Sequence, residues 1–194
     1  MATPVVQIMT RPAPELPYVG IDNYAAGRTA AYYMSRMLAG RSGSFVALCH
    51  SGAYENHKER IRGFSAYLTN HPGDHLFRQV MFDCDDDLNS MELLRGALCD
   101  DSGIIGLYTA GGDNRSVAAV LKEHESRRVF WVGHELSDQS RGALRDGVMS
   151  IVLDQAPEIQ ARRAIDLTLR SLGLIDVEVS PEPVRFLTIT PENV

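Results

Sequence analysis

The chain has 194 residues, of which 44% are hydrophobic, enough to bury the core of one large domain or two small lobes. A net charge of −6 with no basic run excludes a chain that grips a nucleic-acid backbone by itself. Three cysteines without a C-x-x-C spacing exclude a disulfide framework, and no apolar stretch approaches the ~18 residues of a membrane helix. We therefore expect a cytoplasmic protein with no membrane partner.

Strand-like and helix-like segments alternate along the chain. The strand-like segments are PVVQIM, YVGI, SFVALC, RQVMF, GIIGLY, RRVFWVG and MSIVL. Helices are predicted between them, the first capped by Asp22 or Asn23, the third by Asp86 or Asp87, and the last running from Pro157 to Gly173. This alternation predicts the α/β class, with right-handed βαβ units and a mainly parallel sheet covered on both faces.

Ligands of such sheets bind beyond the carboxyl ends of the strands. The loops that follow the predicted strands begin near Asp22, Ser51, Asp83, Gly111 and Glu135. These five loops are where binding or catalytic residues are expected.

The loop TAGGDN, residues 109–114, lies between a strand and a helix, as phosphate-binding loops do. It has no following lysine and neither glycine fingerprint of a phosphate loop, and Asp113 would repel a phosphate. Asp113 or Asn114 is better interpreted as a helix cap. Gly111 and Gly112 then allow a tight turn or the close approach of an uncharged ligand.

Three patterns raise the alternative of an enzyme. VMFDCDDDL resembles the D-x-D of phosphatases of the haloacid dehalogenase type, but Asp87 stands where Thr or Val is expected, and solvated carboxylates capping a helix are favoured. Ser51 follows a strand but lacks the G-x-S-x-G elbow. The histidines His71, His75 and His134 lack metal-site spacing and are expected at the surface or pocket edge. No catalytic residue, metal or cofactor is predicted.

One polar residue per loop then remains at the same rim of the sheet. This set is Asp22, Arg60, Asp113 or the glycine backbone, Glu135 and Gln155. Carboxylates, a guanidinium and an amide form paired hydrogen bonds to adjacent hydroxyls, which favours binding of a polyhydroxylated ligand without catalysis. The alternative for each of these residues is a helix cap or a surface position.

Five motifs in this order resemble the effector-binding domain of the lactose-repressor (LacI) family of transcription regulators, which has the type I periplasmic-binding-protein fold. They are YVGIDNYAAGRTAAYYM, ERIRGF, WVGHEL, IVLDQAPEIQA and FLTITPENV. The resemblance spans nearly the whole chain. It implies two lobes of Rossmann-like parallel sheet that close on a ligand.

The resemblance implies ligand contacts at Asp22, Arg60, Glu135 and Gln155. The full set of predicted ligand-binding residues is Asp22, Tyr54, Arg60, Gly111, Gly112, Asp113, Glu135 and Gln155. The chain departs from the family pattern at TAGGDN, where many relatives carry Asn-Asp, and at Glu135, where Asp is more usual. Any unusual ligand preference is therefore expected at the glycine turn.

The resemblance also implies a division of the chain. Residues 43–150 are expected to form a second lobe, residues 1–42 and 151–184 part of a first lobe, and residues 185–194 a closing strand and tail. The family's helix-turn-helix domain does not fit before residue 5, so this chain is expected to be a fragment that reaches operator DNA only through a missing domain.

The leading interpretation is the effector-sensing part of a sugar-responsive regulator, in which a sugar or polyol closes the lobes of a homodimer. The alternative is a periplasmic sugar-binding protein of an ABC transporter, which shares the fold.

Overall fold

The computed structural model describes residues 3–84, 86–112 and 114–194. Its main body is a six-stranded sheet in the order β4-β3-β5-β6-β7-β8. The strands are β3 (Gly43–Cys49), β4 (His75–Phe82), β5 (Ile104–Thr109), β6 (Phe130–His134), β7 (Ile151–Asp154) and β8 (Leu187–Ile189). Strands β3 to β7 pair in parallel and β8 pairs antiparallel with β7. This confirms the predicted α/β class with a parallel-dominated sheet.

Helices cover both faces of this sheet. The helices are α1 (Asn23–Met37), α2 (Glu55–Asn70), α3 (Asp87–Asp100), α4 (Asn114–Glu123), α5 (Asp138–Arg145) and α6 (Pro157–Ser171), with a short 3-10 helix at Glu125–Arg127. One apolar cluster joins α1 and α2 to the sheet through Met34, Phe45 and Phe64. A second cluster joins α3, α4 and α5 to the other face through Leu94, Val120 and Leu144. Burial on both faces explains the continuous apolar run of β5, whose six residues are all buried.

Side-chain caps fix where several helices begin. Asp22 accepts a hydrogen bond from the Ala25 amide at 2.8 Å and caps α1, as predicted. Asp86, one of the two predicted candidates, caps α3 by accepting from the amides of Leu88 and Asn89. The predicted start of the last helix at Pro157 also agrees with the structure.

Helices α1 and α2 approach each other closely at two glycines. A Cβ atom on Gly27 would overlap the carbonyl oxygen of Arg60, and one on Gly63 would overlap the carbonyl oxygen of Tyr24. Because both obstacles are backbone atoms, neither can move aside as a flexible side chain would. The glycines therefore set the distance between the two helices and the position of Arg60.

A smaller unit stands beside the main sheet. Strands β1 (Gln7–Ile8) and β2 (Tyr18–Val19) form a two-stranded parallel sheet that contacts α6. Beyond β2, Ile21 forms a parallel bridge with Val184. The chain thus passes between the two sheets near residues 21, 155 and 184.

The expected lobe boundaries at residues 42 and 150 do not follow this packing. Helix α1 packs on the six-stranded sheet with α2, and β7 pairs with β6 in that sheet. Helix α6, by contrast, contacts the two-stranded sheet. The difference arises because the packing partner of a helix or strand is a tertiary property that the order of segments along the chain does not fix. The division of the chain into two lobes remains a prediction.

Candidate functional site

The residues predicted to bind ligand, apart from Asp113, which lies outside the described residues, meet at the carboxyl end of the parallel strands. Gly111 and Gly112 follow β5, Glu135 follows β6 and Gln155 follows β7, while Tyr54 and Arg60 belong to the start of α2 and Asp22 to the start of α1. We call this set the carboxyl-edge cluster: Asp22, Tyr54, Arg60, Gly111, Gly112, Glu135 and Gln155. Contacts between its members and their neighbours link most of the cluster into one surface.

Arg60 is the centre of the cluster. Its side chain is 1% exposed, which is exceptional for arginine. Its Nε donates to Asn23 Oδ1 at 2.8 Å, and its Nη1 donates to the carbonyl oxygen of Ala110 at 2.7 Å. Two fixed acceptors therefore hold the guanidinium plane. Burial lowers the pKa of Arg60, and the carboxylate of Glu135 is among the groups that oppose this effect.

The third nitrogen of Arg60 has no hydrogen-bond partner among the described residues. This Nη2 atom is buried and lies 4.0 Å from Glu135 Oε1, within ion-pair range but beyond a hydrogen bond. A buried donor without an acceptor costs ~1–3 kcal/mol, and more for a charged group. Arg60 is thus held in place while its Nη2 keeps no hydrogen-bond partner among the described residues.

Glu135 and Gln155 form the second part of the cluster. Gln155 is 1% exposed, and its Nε2 donates to Glu135 Oε1, while its own Oε1 is buried without a partner among the described residues. Burial raises the pKa of the Glu135 carboxyl, although Arg60 and Gln155 oppose the shift. Glu135 also has a φ of 68°, a left-handed conformation that costs a non-glycine residue ~1–3 kcal/mol. Such strain is typical of binding sites.

The backbone around Gln155 is fixed by Asp154, where the chain leaves the main sheet. Asp154 Oδ1 accepts from the Leu136 amide and Oδ2 accepts from the Ala156 amide, both at 3.0 Å. One carboxylate therefore ties the loop after β6 to the turn before α6. This tie holds Glu135 and Gln155 next to each other.

Histidines line the other side of the cluster. A Cβ atom on Gly111 would overlap the ring of His57, whose ring centroid lies 5.3 Å from that of Tyr54 and 6.0 Å from that of His50. His50 Nδ1 lies 3.0 Å from Asp83 Oδ1, and Ser90 Oγ donates to Asp83 Oδ2 at 2.6 Å. A Cβ atom on Gly112 would lie 3.5 Å from the same Asp83 oxygen.

The structure corrects two minor predictions. Asp83 was expected to be solvated, but it is fully buried because His50 and Ser90 satisfy its carboxylate. His134 was expected at the surface or pocket edge, yet it is 3% exposed and shares a hydrogen bond of 2.9 Å with the Tyr108 hydroxyl. Burial lowers the pKa of His134 well below its usual value, so its imidazole is neutral.

Sequence reasoning missed the residues that hold Arg60. Asn23 was considered only as a helix cap, and the carbonyl of Ala110 carries no signal in a side-chain pattern. Asn114, which starts α4, donates to the carbonyl oxygen of His134 at 3.1 Å and fixes the start of the loop that carries Glu135. Asn114 was likewise considered only as a helix cap.

Residues 3–173 match the family described as periplasmic binding protein domain. The chain belongs to this family. A comparison with curated protein sequences found no match. Within the described residues, no helix has the length and apolarity needed to cross a membrane.

Solved structures of similar fold include several sugar-binding proteins. GanP, a glucose-galactose binding protein from Geobacillus stearothermophilus, is 21% identical with a TM-score of 0.85, over 98% of this chain and 69% of that chain. An ABC transporter periplasmic solute-binding protein from Actinobacillus succinogenes with bound D-allose is 17% identical with a TM-score of 0.84, over 97% and 70%. An ABC transporter solute-binding protein from Burkholderia graminis, in complex with D-arabinose, is 21% identical with a TM-score of 0.81, over 91% of this chain and 62% of that chain.

These likenesses support the periplasmic-binding-protein fold that the resemblance implied. They do not support the assignment of this chain to the LacI regulators, because the neighbours described above are sugar-binding proteins and solute-binding proteins of transporters. The chain spans between 62% and 70% of the length of these three proteins.

Proposed function

We propose that this periplasmic binding protein domain binds a small neutral sugar at the carboxyl-edge cluster without changing it chemically. The observation that carries the proposal is the geometry of Arg60, which is buried and held by Asn23 and Ala110, while its Nη2 has no hydrogen-bond partner among the described residues. The comparisons support it, since structurally similar proteins contain D-allose and D-arabinose.

The unpaired atoms of the cluster match the chemistry of a hydroxyl group. Arg60 Nη2 can only donate and Gln155 Oε1 can only accept, while the carboxylate of Glu135 lies between them. A sugar hydroxyl both donates and accepts, so adjacent hydroxyls can satisfy all three groups. Charge-assisted hydrogen bonds of this kind are roughly twice as strong as neutral ones, and they set the orientation of the ring.

Two biological roles fit the proposed sugar binding. The comparisons favour a solute-binding protein that delivers sugar to a transporter. The order of the five motifs, together with the exposed free thiols of Cys84 and Cys99, favours the effector domain of a cytoplasmic regulator that dimerises and reaches operator DNA through another domain. Sequencing the DNA upstream of the first codon separates them, because a signal peptide supports transport and helix-turn-helix codons support regulation.

Calorimetric titration of the chain with D-arabinose, D-allose, D-glucose and D-galactose tests the proposal. We expect at least one to bind, and we expect Arg60→Ala to weaken binding at least 100-fold, about 2.7 kcal/mol. Arg62→Ala is the matched control, since Arg62 lies on the same helix with its guanidinium over the Tyr24 ring, 5.4 Å from the centroid.

Loss of a buried charge can also unfold the protein, so circular dichroism must show that Arg60→Ala is folded. Gln155→Glu is a second variant that keeps the size of the side chain. It removes the Nε2 donor to Glu135 and places a second carboxyl beside it, so we expect it to weaken binding as well. Equal affinity of the parent and both variants, or no binding of any of the four sugars, contradicts the proposed site.

A further inference from the structure

His57 lies one helical turn before Arg60 on α2, and the ligand-binding residues predicted from the sequence do not include it. The side chain is 8% exposed, and its Nδ1 is buried with no hydrogen-bond partner among the described residues. It is held between the rings of Tyr54 and His50, at centroid distances of 5.3 Å and 6.0 Å. Buried polar atoms without a partner are rare and need an explanation.

The position of the His57 ring depends on Gly111. A Cβ atom at residue 111 would overlap Cε1 and Nε2 of the imidazole. The ring thus occupies the volume that a side chain of residue 111 would fill. Any residue other than glycine must displace His57 from the cluster or move the turn after β5.

The surroundings keep the imidazole uncharged. Burial, followed by the charge of Arg60 and the neighbouring His50, lowers the pKa of His57 to about 4, and the carboxylate of Asp83 opposes this shift. The Asp83 carboxylate is already engaged by His50 and Ser90. A neutral imidazole has one donor and one acceptor nitrogen, which suits a hydroxyl.

Charged ligands are disfavoured at this position for two different reasons. An ammonium group would lie near the guanidinium of Arg60. A carboxylate would meet the acceptor nitrogen of a neutral imidazole, with the carboxylate of Asp83 nearby, unless His57 took up a proton against its lowered pKa. The attraction of Arg60 for a carboxylate is reduced because Glu135 Oε1 already lies 4.0 Å from its Nη2.

From this geometry we infer that His57 is a ligand-contacting residue that selects neutral sugar hydroxyls over sugar carboxylates, and that Gly111 is the positioning residue that leaves room for its ring. The inference rests on the proposed function, because it assigns the specificity of the same site.

The test is calorimetric titration of the full chain with the four neutral sugars and with D-galacturonate at neutral pH. We expect His57→Phe, which keeps a ring of similar shape and removes both nitrogens, to weaken binding of the neutral sugar at least 10-fold. His71→Phe is the matched control at the far end of α2, and we expect a change below 2-fold. D-Galacturonate should bind the parent at least 10-fold more weakly than the neutral sugar does.

A double-mutant cycle tests the role of Gly111. Gly111→Ala should weaken binding by a factor similar to that of His57→Ala, and should cause no further loss when combined with His57→Ala, because the ring that it displaces is then absent. An equal loss in both backgrounds overturns the positioning role. Nitrogen-15 NMR of the parent gives a readout independent of variant folding, since the His57 ring resonances should shift when sugar saturates the site.

The two proposals fail in different ways. If the parent binds none of the four sugars, the proposed function is wrong and the inference falls with it. If the parent binds a sugar while His57→Phe binds it within 2-fold and the His57 resonances do not move, the inference alone is overturned. Equal affinity for D-galacturonate overturns the selectivity.

Discussion

The helices on the six-stranded sheet and the helix beside the two-stranded sheet are packed very differently. Helices α1 and α6 both contain 15 residues, but α1 buries six of them and α6 buries only Gln160. Several large apolar side chains of α6 and its following turn are exposed, with Ile159 at 51% and Ile165 at 59%. Folding stability therefore comes mainly from the six-stranded sheet and the helices on its two faces.

The carboxyl-edge cluster lies at the border between these two regions. Arg60 and Gly111 belong to the well-packed side, while Gln155 stands where the chain passes to α6. One side of the site is therefore formed by well-packed elements. The side formed by α6 and its neighbours has fewer buried contacts, so its local opening needs less free energy. The two regions should therefore differ in how strongly substitutions in them affect stability.

The largest expected difference is between Phe64 and Ile165. Phe64 is fully buried and stacks on Tyr108 at a centroid distance of 4.8 Å, so Phe64→Ala should lower the free energy of unfolding by ~3–5 kcal/mol. Ile165→Ala, on the exposed face of α6, should change it by less than about 1 kcal/mol. Urea unfolding followed by circular dichroism measures both. Similar losses in the two variants would show that α6 contributes as much as the core does.

A smaller effect is expected from glycine substitutions within the well-packed region. Gly27→Ala should destabilise the fold by ~1–3 kcal/mol, because its Cβ meets the backbone carbonyl of Arg60. Gly96→Ala in α3 is the matched control, since no atom lies within 4 Å of its added Cβ, and it should stabilise the helix by up to ~1 kcal/mol. The same unfolding assay compares them. A stable Gly27→Ala protein is evidence against close α1–α2 packing.

The helix starts and the class of the fold could be predicted because they depend on local signals. Asp22 and Pro157 mark helix starts by themselves, and the apolar run of β5 identifies a central strand. The packing of α1 against α2 could not be predicted in the same way. It depends on the close approach of Gly27 to the Arg60 carbonyl and of Gly63 to the Tyr24 carbonyl, which joins two helices that are separated along the chain.

Some residues of the candidate site could be predicted from the sequence and others could not. Arg60 and Gln155 were identified because they belong to recognisable motifs. The acceptors that hold Arg60 were missed, because Asn23 was interpreted only as a helix cap and the backbone carbonyl of Ala110 carries no side-chain signal. The pairing of His57 with Gly111 joins residues 54 positions apart, so only the folded structure brings them together.

The last prediction is a pH dependence at the cluster. The pKa of His57 is about 4 in the folded chain and near 6.5 when unfolded, so the unfolded state binds more protons between these values. The lowered pKa of His57 therefore does not change the free energy of unfolding above pH 6.5. It decreases the free energy of unfolding as the pH falls from 6.5 towards 4. The buried His134 acts in the same direction, whereas the raised pKa of Glu135 acts in the opposite direction just above pH 4.5.

Comparing the parent with His57→Asn isolates this contribution. The free energy of unfolding of the variant should fall less steeply between pH 6.5 and 4, with a difference in slope close to one proton. Thermal unfolding at several pH values measures the slopes. Parallel curves would mean that His57 titrates normally in the folded chain and is not buried as described.

A crystal structure of the chain with the sugar that it binds most tightly would show where the ligand lies. We expect the sugar at the carboxyl-edge cluster, with one hydroxyl within hydrogen-bond distance of Arg60 Nη2 and another near Gln155 Oε1. At the opposite end of the strands, a cavity of about 460 Å³ is lined by residues that include Arg41, Lys122 and Arg128. A sugar bound in that cavity, with no contact to Arg60 Nη2, would rule out the proposed site.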